Sequence, residues 1–71
     1  MKKTIKNINE LTLLPDGTMV EVGCKYADGY TDWYNEYVKT SDGLLDTFAQ
    51  KIISWKMVAD GWEEDTVMRP A

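Results

Sequence analysis

Apolar and polar residues alternate most cleanly from Met19 to Tyr26, with Val20, Val22, Cys24 and Tyr26 on one side and Met19, Glu21, Gly23 and Lys25 on the other. A period of two marks a half-buried strand. The run from Tyr30 to Lys39 follows Asp28-Gly29 and is rich in residues that suit strands: Tyr30, Thr31, Trp33, Tyr34, Tyr37 and Val38. Two such runs around an Asp-Gly turn predict a central hairpin over about 19–39. If Asp28 and Gly29 form a two-residue loop, Tyr26 pairs with Thr31, Lys25 with Asp32, Cys24 with Trp33, Val22 with Asn35 and Val20 with Tyr37. One face then collects Val20, Val22, Cys24, Tyr26, Trp33 and Tyr37. Two positions resist this register, since Glu21 faces Glu36 and Asn35 lands on the apolar side.

Beyond the hairpin the pattern is less uniform. Four of the five glycines follow an aspartate, at Asp16-Gly17, Asp28-Gly29, Asp42-Gly43 and Asp60-Gly61. Each is a turn signal, and together they divide the chain into the short segments of a β meander. From Leu44 to Val58 two readings compete. Leu45, Phe48, Ile52 and Trp55 have helical spacing, with Asp42 and Gly61 as caps for one long helix. Alternatively, a short helix or turn at about 43–50 precedes a third strand at about 51–58, with Ile53, Trp55 and Met57 inward. Ile5, Ile8, Leu11, Leu13 and Leu14 are apolar without a clean period, and Pro15 ends whatever they form.

Length and charge narrow the function classes. At 71 residues the chain is one small domain with little sequence to spare for a deep catalytic cleft. It has no histidine and one cysteine, which excludes an internal disulfide, a Cys/His zinc cluster and an imidazole base. Twelve acidic residues against eight basic ones give a net charge of -4. An acidic domain is poorly suited to neutralising phosphates, so direct nucleic-acid binding is not expected. The charge is uneven: Lys2, Lys3 and Lys6 suggest a flexible basic arm over 1–6, and Asp60, Glu63, Glu64 and Asp65 a flexible acidic tail over 61–71. Lys6, Asn7, Asn9 and Glu10 fall where a signal peptide needs an apolar stretch, and no run is long enough to span a membrane. A cytoplasmic protein with a reduced thiol is the expectation.

The order Leu14-Pro15-Asp16-Gly17-Thr18-Met19-Val20-Glu21-Val22, then Tyr26-Ala27-Asp28-Gly29, then Ile52-Ile53-Ser54-Trp55-Lys56-Met57-Val58 resembles a group of short bacteriophage and prophage proteins. Their pattern has a turn, a Val-x-Val strand, a second glycine turn and a closing Ile-Ile-x-aromatic-basic-x-Val strand. The likeness covers roughly residues 14 to 58. It departs from the pattern at Gln50-Lys51, where an acidic residue is usual, and at Lys56, where arginine is usual. The resemblance implies a small β-rich fold and a phage setting in the host cytoplasm, and it carries over no functional residue. It favours the split reading of 44–58. The expected fold is therefore β-rich α+β, a small antiparallel three-stranded sheet whose free edges suit homodimerisation or strand addition.

Candidate chemistry is sparse. Cys24, placed opposite Trp33, reads as a small buried hydrophobe. Asp28 and Asp32 lack the ligand spacing of a calcium loop, and neither a phosphate-binding glycine loop nor a nucleophile elbow occurs. No catalytic residue, cofactor or metal site is expected. The aromatic density is the informative feature. Tyr30 and Tyr34, on the face opposite Trp33 and flanked by Asp32 and Glu36, have the composition of a protein contact patch. Tyr30, Asp32, Tyr34 and Glu36 are thus the candidate partner-binding residues. The function expected is a phage accessory protein that binds a host or phage protein stoichiometrically, inhibiting a defence or regulatory enzyme. The alternatives are a nucleotide-type ligand binder, drawing its cations from Lys25, Lys39, Lys51 and Lys56, and a virion or assembly component.

Overall fold

The central hairpin forms where the alternation places it, as β1 (Met19–Lys25) and β2 (Thr31–Thr40). This computed structural model describes residues 4–71. Three further strands, β3 (Gly43–Asp46), β4 (Lys51–Ser54) and β5 (Thr66–Pro70), extend the hairpin into one antiparallel sheet in the order β4-β3-β2-β1-β5. Two short helices, α1 (Ile8–Thr12) and α2 (Trp55–Asp60), lie on one side of it. The class is β-rich α+β, and the sheet has five strands instead of three.

The segment expected as a helix or turn at about 43–50 is half strand. Gly43 takes a positive φ at which a Cβ would collide with the Ile53 carbonyl, so glycine lets β4 approach β3. Asp46 then folds the chain back, its Oδ1 accepting from the Phe48 and Ala49 N–H groups at 2.9 and 3.0 Å. This side-chain turn overrides the helical spacing of Leu45, Phe48 and Ile52, and it leaves Phe48 98% exposed at the hairpin tip.

The third strand expected at about 51–58 ends at Ser54, whose hydroxyl accepts from the Met57 N–H at 3.3 Å and caps α2. Helical phase then buries Val58 and exposes Met57, reversing the strand expectation. The Trp55 indole donates to the Ser41 carbonyl at 3.1 Å. At the other end, Asn7 caps α1 by accepting from Glu10 N–H at 3.0 Å.

Residues 61–71 hold β5 where a flexible tail was expected. Its residues alternate, and Met68 pairs with Val22 on the helix side while Val67 pairs with Gly23 on the other. β1 has a free edge that an alternating segment can satisfy, and this outweighs the acidic run before it. Part of the arm expected over 1–6 lies outside the described residues. Within the described part, Ile5 is buried and bridges Met68 on the outer edge of β5.

The core lies between the sheet and the helices. Ile5, Leu11, Val20, Val22, Leu44, Val58 and Met68 form it, with Ile8, Leu14, Tyr37, Ile53, Trp55 and Trp62 packed around them. Two helices this short cannot cover five strands. Among the described residues the opposite face of the sheet carries no helix, and the helix side is open at the hairpin end.

Candidate functional site

The hairpin loop has three residues, Ala27-Asp28-Gly29, where two were expected. Tyr26 N–H donates to the Tyr30 carbonyl at 2.8 Å, Gly29 N–H donates to the Tyr26 carbonyl at 3.0 Å, and Asp28 Oδ1 accepts from Tyr30 N–H at 2.9 Å. The longer loop shifts the adjacent register by one, so Lys25 pairs with Thr31, Cys24 with Asp32 and Gly23 with Trp33. Farther along, Val22 pairs with Asn35 and Val20 with Tyr37, as expected. Tyr34 is the extra residue that reconciles the two registers, a β-bulge between Trp33 and Asn35.

The bulge redistributes the candidate residues. Trp33 leaves the core and crosses to the helix-free face, where it lies over Gly23: a Cβ there would come within 2.8 Å of Trp33 Cε3. The Arg69 guanidinium sits 4.0 Å above the indole and donates to Glu21 Oε2 at 3.3 Å. Glu36, opposite Glu21, shares that face. Asp32, opposite Cys24, points to the helix side instead. The four candidates therefore do not share one face. Tyr34, at the bulge, lines one recess with Trp33 and Glu36 and another on the helix side, and Tyr30 stacks on Tyr26 in the loop with centroids 6.0 Å apart.

Cys24 is half-buried and does not face Trp33. Its thiol donates to Asp65 Oδ2 at 3.1 Å, and this bond, with desolvation and the charges of Asp65, Asp32 and Glu63, raises its pKa above the ordinary 9.0. The Tyr34 phenol is raised too, first by partial burial and then by Cys24, Asp65, Glu63 and Asp32. Tyr26 shifts the same way, chiefly through Cys24 and Asp32. The carboxylates of Asp32, Glu63 and Asp65 thus gather around Cys24 and Tyr34 at the hairpin end, with Lys6 and Lys25 beside Glu63 and Asp65.

That region borders an open cleft of about 170 Å³. Val22, Leu44 and Met68 form its floor, and Tyr34, Tyr37, Met57 and Trp62 are among its walls. At about 30 Å³ per water it holds about six waters or one large side chain. Met57 and Trp62 carry no signal as site residues in the sequence: the strand reading turns Met57 inward, and Trp62 stands in the expected tail. Their value shows only once Ser54 starts a helix and β5 returns to the sheet.

Of the proposed nucleotide-binding cations, Lys39 is committed elsewhere, with Nζ 2.6 Å from Asp16 Oδ1 and a side chain only 9% exposed. Lys25 shares the Gly23 face. Among the described residues, no helix is long and apolar enough to cross a membrane.

No family model, curated protein or solved structure matches this chain.

Proposed function

We propose that this chain acts stoichiometrically, as a binding module that docks a protein partner in the cleft walled by Tyr34, Tyr37, Met57 and Trp62. The carrying observation is the juxtaposition of that apolar cleft with the carboxylates of Asp32, Glu63 and Asp65. An aromatic-lined recess with Asp32, Glu63 and Asp65 close by suits one kind of segment: a large apolar anchor with lysine or arginine beside it. Aromatic walls supply contact area at low entropic cost, and the acids steer and orient the basic residues. The same acids disfavour a phosphorylated ligand in the cleft. The resemblance of residues 14–58 to short phage proteins supports a phage setting, with a host enzyme in the cytoplasm as the partner to be obstructed.

Selection of a random peptide library on the immobilised protein tests this reading. Enriched sequences are expected to pair a Phe, Leu, Met or Trp anchor with Lys or Arg within a few residues. Their binding should weaken at least about tenfold with Tyr34→Ala or Met57→Asp. Enrichment of acidic peptides, or binding indifferent to both substitutions, overturns it.

A further inference from the structure

Two sulfur atoms line the cleft, that of Met57 on its wall and that of Met68 on its floor. Met68 is 5% exposed and belongs to the core, whereas Met57 is 62% exposed. The third methionine among the described residues, Met19, is 37% exposed and stands on the helix-free face, one position from the buried Val20. The contrast follows from the start of α2: with Ser54 as its cap, helical phase turns Val58 inward and leaves Met57 at the cleft wall. Met57 is not among the residues that form or flank the core, so the fold tolerates a change in the polarity of its side chain.

We propose that Met57 is a reversible oxidation site that closes the cleft to its peptide, with hydrogen peroxide converting the thioether to the sulfoxide. The switch rests on the reading that a peptide docks in the cleft. A sulfur lone pair attacks one peroxide oxygen, and the O–O bond breaks as the S–O bond forms. The proton of the transferred oxygen passes to the departing hydroxide, which leaves as water. Sulfur loses two electrons and the peroxide gains them.

The change matters because of where the sulfur stands. A thioether is apolar, flexible and polarisable, the properties of a wall that moulds to an apolar anchor. A sulfoxide oxygen is a strong acceptor that the anchor would bury without a donor. The other walls, Tyr34, Tyr37 and Trp62, resist dilute peroxide, so Met57 sets the response of the cleft. Cys24 is the competing target. The reactive form of a cysteine is the thiolate, however, and the Cys24 thiol keeps its proton in the 3.1 Å bond to Asp65 Oδ2.

The test treats the full chain, Met57→Leu and Met19→Leu with dilute hydrogen peroxide and then with dithiothreitol, which reverses sulfenic acid and disulfide but leaves sulfoxide. Peptide mapping with fragmentation locates the added oxygen, and thermal circular dichroism follows the fold. Fluorescence polarisation reads the affinity for a peptide selected on the untreated protein. In wild type, Met57 should oxidise ahead of Met19 and Met68, with Tm unchanged and affinity lowered at least about tenfold. Met19→Leu should lose affinity by the same factor. Met57→Leu, measured against its own untreated form, should lose none, and methionine sulfoxide reductase should restore wild type. Earlier oxidation of Met19 or Met68, a lowered Tm, an equal loss in Met57→Leu, or an affinity that survives conversion of Met57 overturns the switch while peptide docking stands. Failure of the untreated protein to enrich any peptide overturns the docking reading, and the switch with it.

Discussion

Gly23→Ala probes the feature on which the placement of Asp32 and Trp33 depends, the Tyr34 bulge. A Cβ at Gly23 would lie 2.7 Å from the Asp32 carbonyl oxygen and 2.8 Å from Trp33 Cε3, both inside ordinary contact. Replacing a strand glycine otherwise stabilises by roughly 0.5–1 kcal/mol, through the entropy of the unfolded chain. Overpacking against two close atoms, one of them backbone, costs about 1–3 kcal/mol and should dominate. The ring is not free to yield, because Arg69 lies on it. A net loss of about 1–2 kcal/mol in a domain of this size lowers Tm by roughly 4–16 °C, read by thermal circular dichroism. In a Trp33→Ala background the ring contact is gone and only the carbonyl contact remains, so the two substitutions should fall short of additive by about 0.5 kcal/mol or more. An unchanged or raised Tm, or strict additivity, would refute the bulged register and return Trp33 to the core face.

The Lys39 ammonium, nearly buried against an exposed Asp16, makes Asp16→Asn cost about 1–2 kcal/mol in urea titrations, and Lys39→Met should cost less because it removes the charge with its partner. Cys24, Tyr26, Tyr34 and Tyr37 all have raised pKa values, so the unfolded chain releases these protons first; stability should therefore fall as pH rises through about 9–11, against a flat profile between about 7 and 8. Because the bond to Asp65 leads the causes that hold the Cys24 thiol protonated, iodoacetamide should modify it slowly at about pH 8, and Asp65→Asn should accelerate the reaction. Phe48→Ser, at a fully solvated hairpin tip, should change stability by no more than about 0.5 kcal/mol.

The features legible in the chain are those that depend on two residues at a time. The alternation of Val20 and Val22, their partners Tyr37 and Asn35, and the turns at Asp-Gly arise from local chemistry and hold in the fold. The features hidden from the sequence depend on competition between neighbours. Leu45, Phe48 and Ile52 have helical spacing, and only the Asp46 turn, which a periodicity count ignores, decides against it. Ser54 is a strand residue or a helix cap according to whether residues 55–60 continue the strand or coil into α2. Thr66 to Pro70 look like the end of an acidic tail until β1 is seen to need a neighbour. The site inherits these errors: a single extra loop residue turns Trp33 to the face of Glu36 and Asp32 to the opposite one, although all three stand within five positions of each other.

Salt tests the proposed peptide contact, because charges make part of it. A peptide bearing two basic residues beside Asp32, Glu63 and Asp65 draws part of its affinity from exposed ion pairs, each about 0.2–1 kcal/mol. Raising ionic strength from about 0.05 to about 0.5 M shortens the screening length from more than 10 Å to less than 5 Å and should remove most of that contribution. Fluorescence polarisation of a selected peptide across these buffers gives the slope, and a flat one would show the acids to be solvated bystanders.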